Sequence, residues 1–232
     1  MHLDAGGFAD FYTDGGAART ETILAAYGLM DVGAVNISAR ELGISPEQIE
    51  RLGSESDIPF LSANVVDERS GLPCFATSTQ IAVGSHTIGI VGIADPVVRR
   101  WIAADGRTTI ISAPIAAARP IVSALAEETD LIVLLAQVPM WKIESIAAGL
   151  PEVDIFLGAD GVTTTQQERR IGEGGAVVSF GGRQGQHLGV LEIRMSSTGA
   201  IDSLRHRMVN LSLDMPEDPE IQELVEGIGD NR

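Results

Sequence analysis

Cysteine is all but absent from this chain. Cys74 is the single thiol in 232 residues, which excludes an intrachain disulfide and any cysteine-rich metal centre. Aromatic side chains make up only 4%, so a core must rest on Ala, Val, Ile and Leu. Basic residues are scarce too: 16 Lys and Arg stand against 32 Asp and Glu, a formal net charge of −16. Nucleic-acid binding needs clustered Lys and Arg against phosphate, so that class is excluded. An anionic membrane surface is disfavoured for the same reason. The plain consequence of the charge is solubility through self-repulsion. No apolar run approaches the about 18–20 residues that span a bilayer, so membrane insertion is not expected. The opening "MHLDAGGFADF" lacks a signal-peptide pattern and reads as a strand entering a loop, the start expected of a fragment or a processed chain.

What is present is a sequence in which helices and strands alternate. The Ile23, Leu24, Tyr27 spacing of "TETILAAYGLM" predicts a helix, and "DVGAVNIS" a short buried strand after it. "SPEQIERLG" carries a strong helix start, with Ser45 as N-cap, Pro46 at the first helical position and Gln48 in capping-box register. "IPFLSANVV" reads as one strand. "FATSTQIAVGSHTIGIVGIAD" reads as a hairpin turning at Gly84-Ser85. A helix is expected from Pro114 to about Glu127, kinked or interrupted at Pro120. "DLIVLLAQ" and "VDIFLGADG" have the continuous apolar character of strands covered on both faces, with the helix "KIESIAAGL" between them. From Ala176 the pattern is strands alone, until a short acidic helix that starts with Asp218 as N-cap and Pro219 after it. This order predicts an α/β sandwich of mixed sheets over residues 1–213, followed by an acidic linker and helix over 214–232.

Buried strands that end in Gly-containing loops deliver site residues at their C-terminal ends. Here those ends are Asp4-Ala5-Gly6-Gly7, Val35 to Ala39, Ala136-Gln137-Val138 and Gly158 to Val162. Taken in order, they resemble the calcineurin-like metallophosphoesterases, specifically the 5′-nucleotidase branch. "LDAGG" resembles that family's D-A-G-D, "LSANVVD" its L-S-A-N segment, and "HTIGIVGIADP" its hairpin strand. "AVVSFGGRQGQHLGVLEI" resembles its V-V-Q-A…G-x-x-L-G-x-L-x-L segment. No single piece is specific; their order from Leu3 to "PEDPEIQELVE" is. The resemblance implies two mixed β-sheets flanked by helices, with a first strand bearing D-x-H upstream of anything present here. It also implies an extracytoplasmic location.

The family holds two metal ions that activate a water and clamp a phosphate. The resemblance places its bridging Asp on Gly7, its Asn ligand on Ile37, its catalytic His on Ser38, a further His ligand on Gln137, and the G-H-x-H pair on Asp160 and Val162. None keeps the family residue. Gly7, Ile37 and Val162 offer no side-chain donor, Gln137 is a weak oxygen ligand, and Asp160 alone is a good one. No cofactor is therefore expected, and a divalent metal pair only if a rearranged site exists.

A residual cleft of Asp4, Asn36, Arg40, Glu41, Asp95 and Asp160 is the candidate for such a rearrangement. Set against it, Arg40 and Glu41 serve in surface or loop-fixing contacts, Asp95 before Pro96 as a turn starter, and Ser38 as a hydroxyl capping the following helical turn, a nucleophile only with a nearby base. His2, His86, His187 and His206 are poorly placed for catalysis. Trp101 and Trp141 read as packing anchors, Trp141 also as a pocket rim. The expectation is a catalytically degenerate domain kept as a binding or assembly module. The alternatives are an active hydrolase using Asp160, Asp4 and Glu41 or completed by an upstream segment, and a cleft adapted to an uncharged or cationic small molecule. The tail from Asp214 to Asp230 has no basic residue, yet its helix has an apolar stripe at Ile221, Leu224 and Val225. It either closes the domain's own core or docks on a protein partner, with Glu220, Glu223 and Glu226 facing a basic surface.

Overall fold

The computed structural model describes residues 1–9, 15–97, 99–172, 174–182 and 185–229. Its strands are β1 (His2–Asp4), β2 (Val32–Asn36), β3 (Phe60–Leu61), β4 (Val65–Asp67), β5 (Ser78–Val83), β6 (His86–Ala94), β7 (Trp101–Ile102), β8 (Thr108–Ile111), β9 (Leu131–Gln137), β10 (Ile155–Gly158), β11 (Arg169–Ile171), β12 (Ala176–Phe180), β13 (His187–Met195) and β14 (Ile201–Asn210). Its helices are α1 (Gly16–Leu29), α2 (Pro46–Glu55), α3 (Pro114–Glu128), α4 (Ile143–Gly149) and α5 (Pro219–Gly229), and 3-10 turns occupy Glu41–Gly43 and Met140–Lys142.

The largest sheet has the order β11-β12-β10-β9-β6-β5, parallel at its centre and antiparallel at both edges. β9 shows why it lies at the centre. Its alternate residues Ile132, Leu134 and Ala136 meet Ala118, Val122 and Leu125 of α3 and Ile143, Ile146 and Ala147 of α4. Leu131, Val133 and Leu135 face the other way, toward Ala34 and Leu61 of the parallel β1-β2-β3 sheet and toward Leu191, Ile193 and Leu204 of the β13-β14 ribbon. A third cluster packs Leu24 of α1 and Ile49 and Leu52 of α2 on Val35 and Phe60. The layers therefore run helix, sheet, sheet, helix, the sandwich expected of the sequence. A small β4-β8-β7 sheet completes it.

Local signals were realised closely. Ser45 Oγ accepts from Gln48 N at 3.0 Å, Gly84 turns the β5-β6 hairpin at φ 63°, and Asp218 Oδ1 accepts from Glu220 N at 2.9 Å. Two expectations were not. α3 runs unbroken through Pro120; the carbonyl that Pro120 leaves without a donor belongs to Ala116, which is exposed to water. "IPFLSANVV" is two strands in different sheets, because Asn64 pins a corner between them. Its Nδ2 donates to Ala94 O at 2.8 Å and Ser112 O at 2.9 Å, and its Oδ1 accepts from Ala94 N at 2.8 Å. β7, β8 and β11 were not legible, being short and without clear alternation. α5 packs against α1, with Ile221 and Leu224 half-buried and Val225 56% exposed; Asp230 lies outside the described residues. No described helix is long and apolar enough to cross a membrane.

The β13-β14 ribbon pairs with no other described strand and is held by its inward side chains. Among them His206 Nε2 lies 3.0 Å from Ser179 Oγ of β12, while its Nδ1 is buried without a partner. Burial lowers the imidazole below its ordinary pKa, against the opposing pull of Glu168. A base with a depressed folded pKa favours the unfolded state as pH falls through the unfolded value of about 6.5. Between pH 7 and 5 the chain should lose urea stability from this source. In His206→Gln that component should vanish, and an identical pH slope for the two proteins would contradict it.

Candidate functional site

β1 and β2 end side by side, and both feed the loops where the family keeps its metal ligands. Gly6 and Gly7 sit at φ 94° and 87°. A Cβ on Gly6 would come within 2.8 Å of Asn36 O, so the β1 loop lies flat on the end of β2. Asn36 is an interior brace: its Nδ2 donates to Ala5 O at 3.0 Å and Ile93 O at 2.8 Å, and its Oδ1 is buried without a partner. Ile37, at the position of the Asn ligand, is fully buried among Leu42, Ile49 and Val65.

Ser38, at the position of the catalytic His, is fully buried as well, and so is Glu41. Ser38 donates from Oγ at 2.5 Å and from N at 3.0 Å to Glu41 Oε2. The other oxygen, Oε1, accepts from Gly7 N at 2.9 Å and Ala9 N at 3.2 Å. Arg40 Nε donates to Ala9 O at 2.7 Å. One carboxylate thus ties the turn after β2 to the loop after β1 and uses the amide of Gly7, the residue that stands where a bridging Asp would be. Burial pushes the Glu41 carboxyl above its ordinary value, against the hydrogen bonds from Ser38 and the backbone amides. Asp4 is committed nearby. Its Oδ1 accepts from Gly6 N at 2.6 Å and its Oδ2 from Tyr27 Oη at 2.5 Å. Burial, then the charge of Asp4, raise the Tyr27 hydroxyl and keep it a donor.

A second group surrounds the ends of β6, β9 and β10. Gln137 O accepts from Asp95 N at 2.9 Å, and the Asp95 carboxylate pairs with Lys142. Asp160 accepts from Met140 N at 3.4 Å, Val162 N at 3.0 Å, Thr163 N at 2.7 Å and Thr163 Oγ1 at 2.6 Å. Burial acts to raise its carboxyl, but these hydrogen bonds outweigh it and hold the group below its usual value. Val162 is 75% exposed and Trp141 77% exposed, on the loop and the turn that Asp160 fastens together. The nearby Gly181–Gly185 loop includes residues 183 and 184, which lie outside the described residues.

The structure therefore sorts the candidates. Asn36, Ile37, Ser38 and Glu41 are interior residues rather than the lining of an open cleft, and Asp4, Asp95 and Asp160 are spent on tying their loops to Tyr27, Lys142 and Met140 in turn. Among the described residues no three of His, Cys, Asp and Glu cluster as a metal would require. A metal pair does not fit this donor set: Gly7 offers an amide that Glu41 already takes, and Ile37 points into the core. Glu41 fixes its loop, as expected from the sequence; its two partners across the β1 loop, Gly7 and Ala9, were not readable there. Glu41→Gln tests the network. Whichever oxygen becomes NH₂ faces a backbone N–H that loses its acceptor, at a cost of about 1–3 kcal/mol. The urea midpoint should fall; a midpoint equal to wild type would contradict the description.

Neither a protein-family model nor a curated protein matches the chain by sequence. Solved structures do match it. Sulfate thiohydrolase SoxB of Thermus thermophilus aligns with a TM-score of 0.86 at 20% identity, over 99% of this chain and 42% of that one. A 5′-nucleotidase precursor of the same organism aligns at 0.83 and 20%, over 99% and 49%. The calcineurin-like phosphoesterase YfkN of Bacillus subtilis aligns at 0.73 and 13%, over 90% and 73%. The chain spans less than half the length of the first two. With its layers, strand order and loops in hand, the chain has the fold shared by these calcineurin-like phosphoesterase and 5′-nucleotidase structures.

Proposed function

We propose that this domain is a catalytically degenerate phosphoesterase-fold module kept for binding or assembly. One observation carries the reading. The Ser38–Glu41 carboxylate network buries Ser38, to which the resemblance assigns the catalytic His, and it draws in the amide of Gly7, to which the resemblance assigns the bridging Asp. Two-metal hydrolysis needs a bridging anion that holds two cations close together and a donor set on each side. Under this reading Gly7 brings no side-chain anion to the bridging position, and its amide N–H is already donated to Glu41. A surface available to a basic partner is the exposed side of α5, with Glu220, Glu223 and Glu226.

A second reading has a specific support. The Asp160 carboxylate is held ionised at the end of β10, the place where α/β folds put reactive groups. Under that reading the domain is a metal-dependent phosphohydrolase, with Asp160 as a surviving ligand.

Protein purified without chelator should carry no stoichiometric Mn, Zn or Fe. It should leave p-nitrophenyl phosphate and nucleotides unhydrolysed with each of these metals added. Two equivalents of metal per chain, or turnover that Asp160→Ala abolishes, would overturn the proposal in favour of the hydrolase.

A further inference from the structure

Two helices end on one groove, at the end of the sheet away from the loops after β1 and β2. α1 finishes at Leu29 and leads into β2 at Val32, and α2 finishes at Glu55 and leads through Ile58 to β3. The groove between them has a volume of about 630 Å³, inside the range of about 300–1,000 Å³ found for small-molecule sites. Its floor is apolar, made by the buried side chains of Leu24, Val32, Leu52 and Ile58.

The charge around this floor runs against helix electrostatics. The last carbonyls of a helix carry partial negative charge, so a cation is favoured beside them and a carboxylate is not. Neither helix has a basic residue in its last turn. The groove is lined instead by Glu21 and Asp31 on the α1 side and by Glu55 and Asp57 on the α2 side. One cation of the chain answers part of this charge. Arg51 Nη2 donates to Glu21 Oε1 at 2.8 Å and Nη1 to Glu55 Oε2 at 2.6 Å, bridging the two helices. Asp31 and Asp57 are exposed and have no partner among the described residues. Ser56 also lines the groove, and its Oγ is buried without a partner. A buried hydroxyl left so costs stability that a donor on a ligand would restore.

We infer that this groove binds an aliphatic diamine or polyamine. Its methylene chain covers the apolar floor, and its ammonium groups meet Asp31, Asp57 and the Ser56 hydroxyl. Arg51 shows that a cation already sits between carboxylates of the two walls. A metal ion fits less well: among the described residues no three acidic groups come together as a metal would require, and a hydrated ion would leave the floor uncovered. Anions are repelled by four carboxylates and two negative helix ends. The groove lies at the opposite end of β2 from Ser38 and Glu41, so the inference does not rest on whether the domain is degenerate.

Isothermal titration calorimetry at physiological ionic strength tests it, where screening over about 8 Å suppresses attraction to the distant charge of the chain. The probes are putrescine and spermidine, with 1,4-butanediol as an uncharged chain and Mg²⁺ as a cation without one. Each amine should bind once per chain, spermidine the more tightly, and the other two should give no saturable heat. Asp31→Asn combined with Asp57→Asn should weaken spermidine about tenfold. Glu127→Gln combined with Asp202→Asn removes the same charge elsewhere on the surface and should leave the affinity near wild type. Urea midpoints near wild type show that both double variants fold. In the wild type, amide exchange over residues 52–58 should slow when spermidine is added. Absence of saturable amine binding overturns the inference. So do equal losses in the two double variants, Mg²⁺ binding as tight as spermidine, or protection confined to another segment.

Discussion

The arrangement of this domain follows from one constraint: the central sheet is buried on both faces. β9 and β10 have helices on one side and a second β layer on the other, so none of their interior residues can be polar. Polar chemistry is forced to the strand ends, where the loops after β1, β2, β6, β9 and β10 gather. The same constraint governs the close approaches at those ends. A Cβ on Gly92 would come within 2.5 Å of Asn36 Oδ1, and one on Gly158 within 2.1 Å of the Phe180 ring. Glycine is required at both places by packing, whatever the loops do.

Given such a gathering of strand ends, the loops must still satisfy their own backbone amides. Here Glu41 does the local work with a single carboxylate. It accepts from two amides of the β1 loop and from Ser38, which lets Ile37 join the core. A buried carboxylate is costly unless fully hydrogen-bonded, and both of its oxygens are occupied twice. The network holds the loops after β1 and β2 together at this end of the sheet.

Charge is handled at the periphery. Most of the excess acid is spread over exposed surface and the tail, and the few cations are used locally: Arg107 on Glu50 and Lys142 on Asp95. The edge strands β1, β4, β11, β13 and β14 carry Asp, Glu or Arg, and on β5 Gln80 holds the Glu128 carboxylate.

Sequence alone determined the features that are local or periodic. The apolar runs of β9 and β10, the Ser45 and Asp218 caps and the Gly84 turn involve residues within a few positions of one another, and each formed as read. So did the fold class, because the order of buried strands and Gly-rich loops is a property of the chain. Tertiary structure decided what depends on distant donors. Glu41 could be read as a capping-box residue, but Gly7 and Ala9 lie more than thirty positions away, with |i−j| of 34 and 32. Asn64 splits one expected strand into two only because Ala94 and Ser112 come to meet it. That Asp160 fastens its loop to the turn at Met140 was likewise set by Met140, Val162 and Thr163 arriving around it. A carboxylate's role depends on which donors surround it, and only the folded chain brings those donors together.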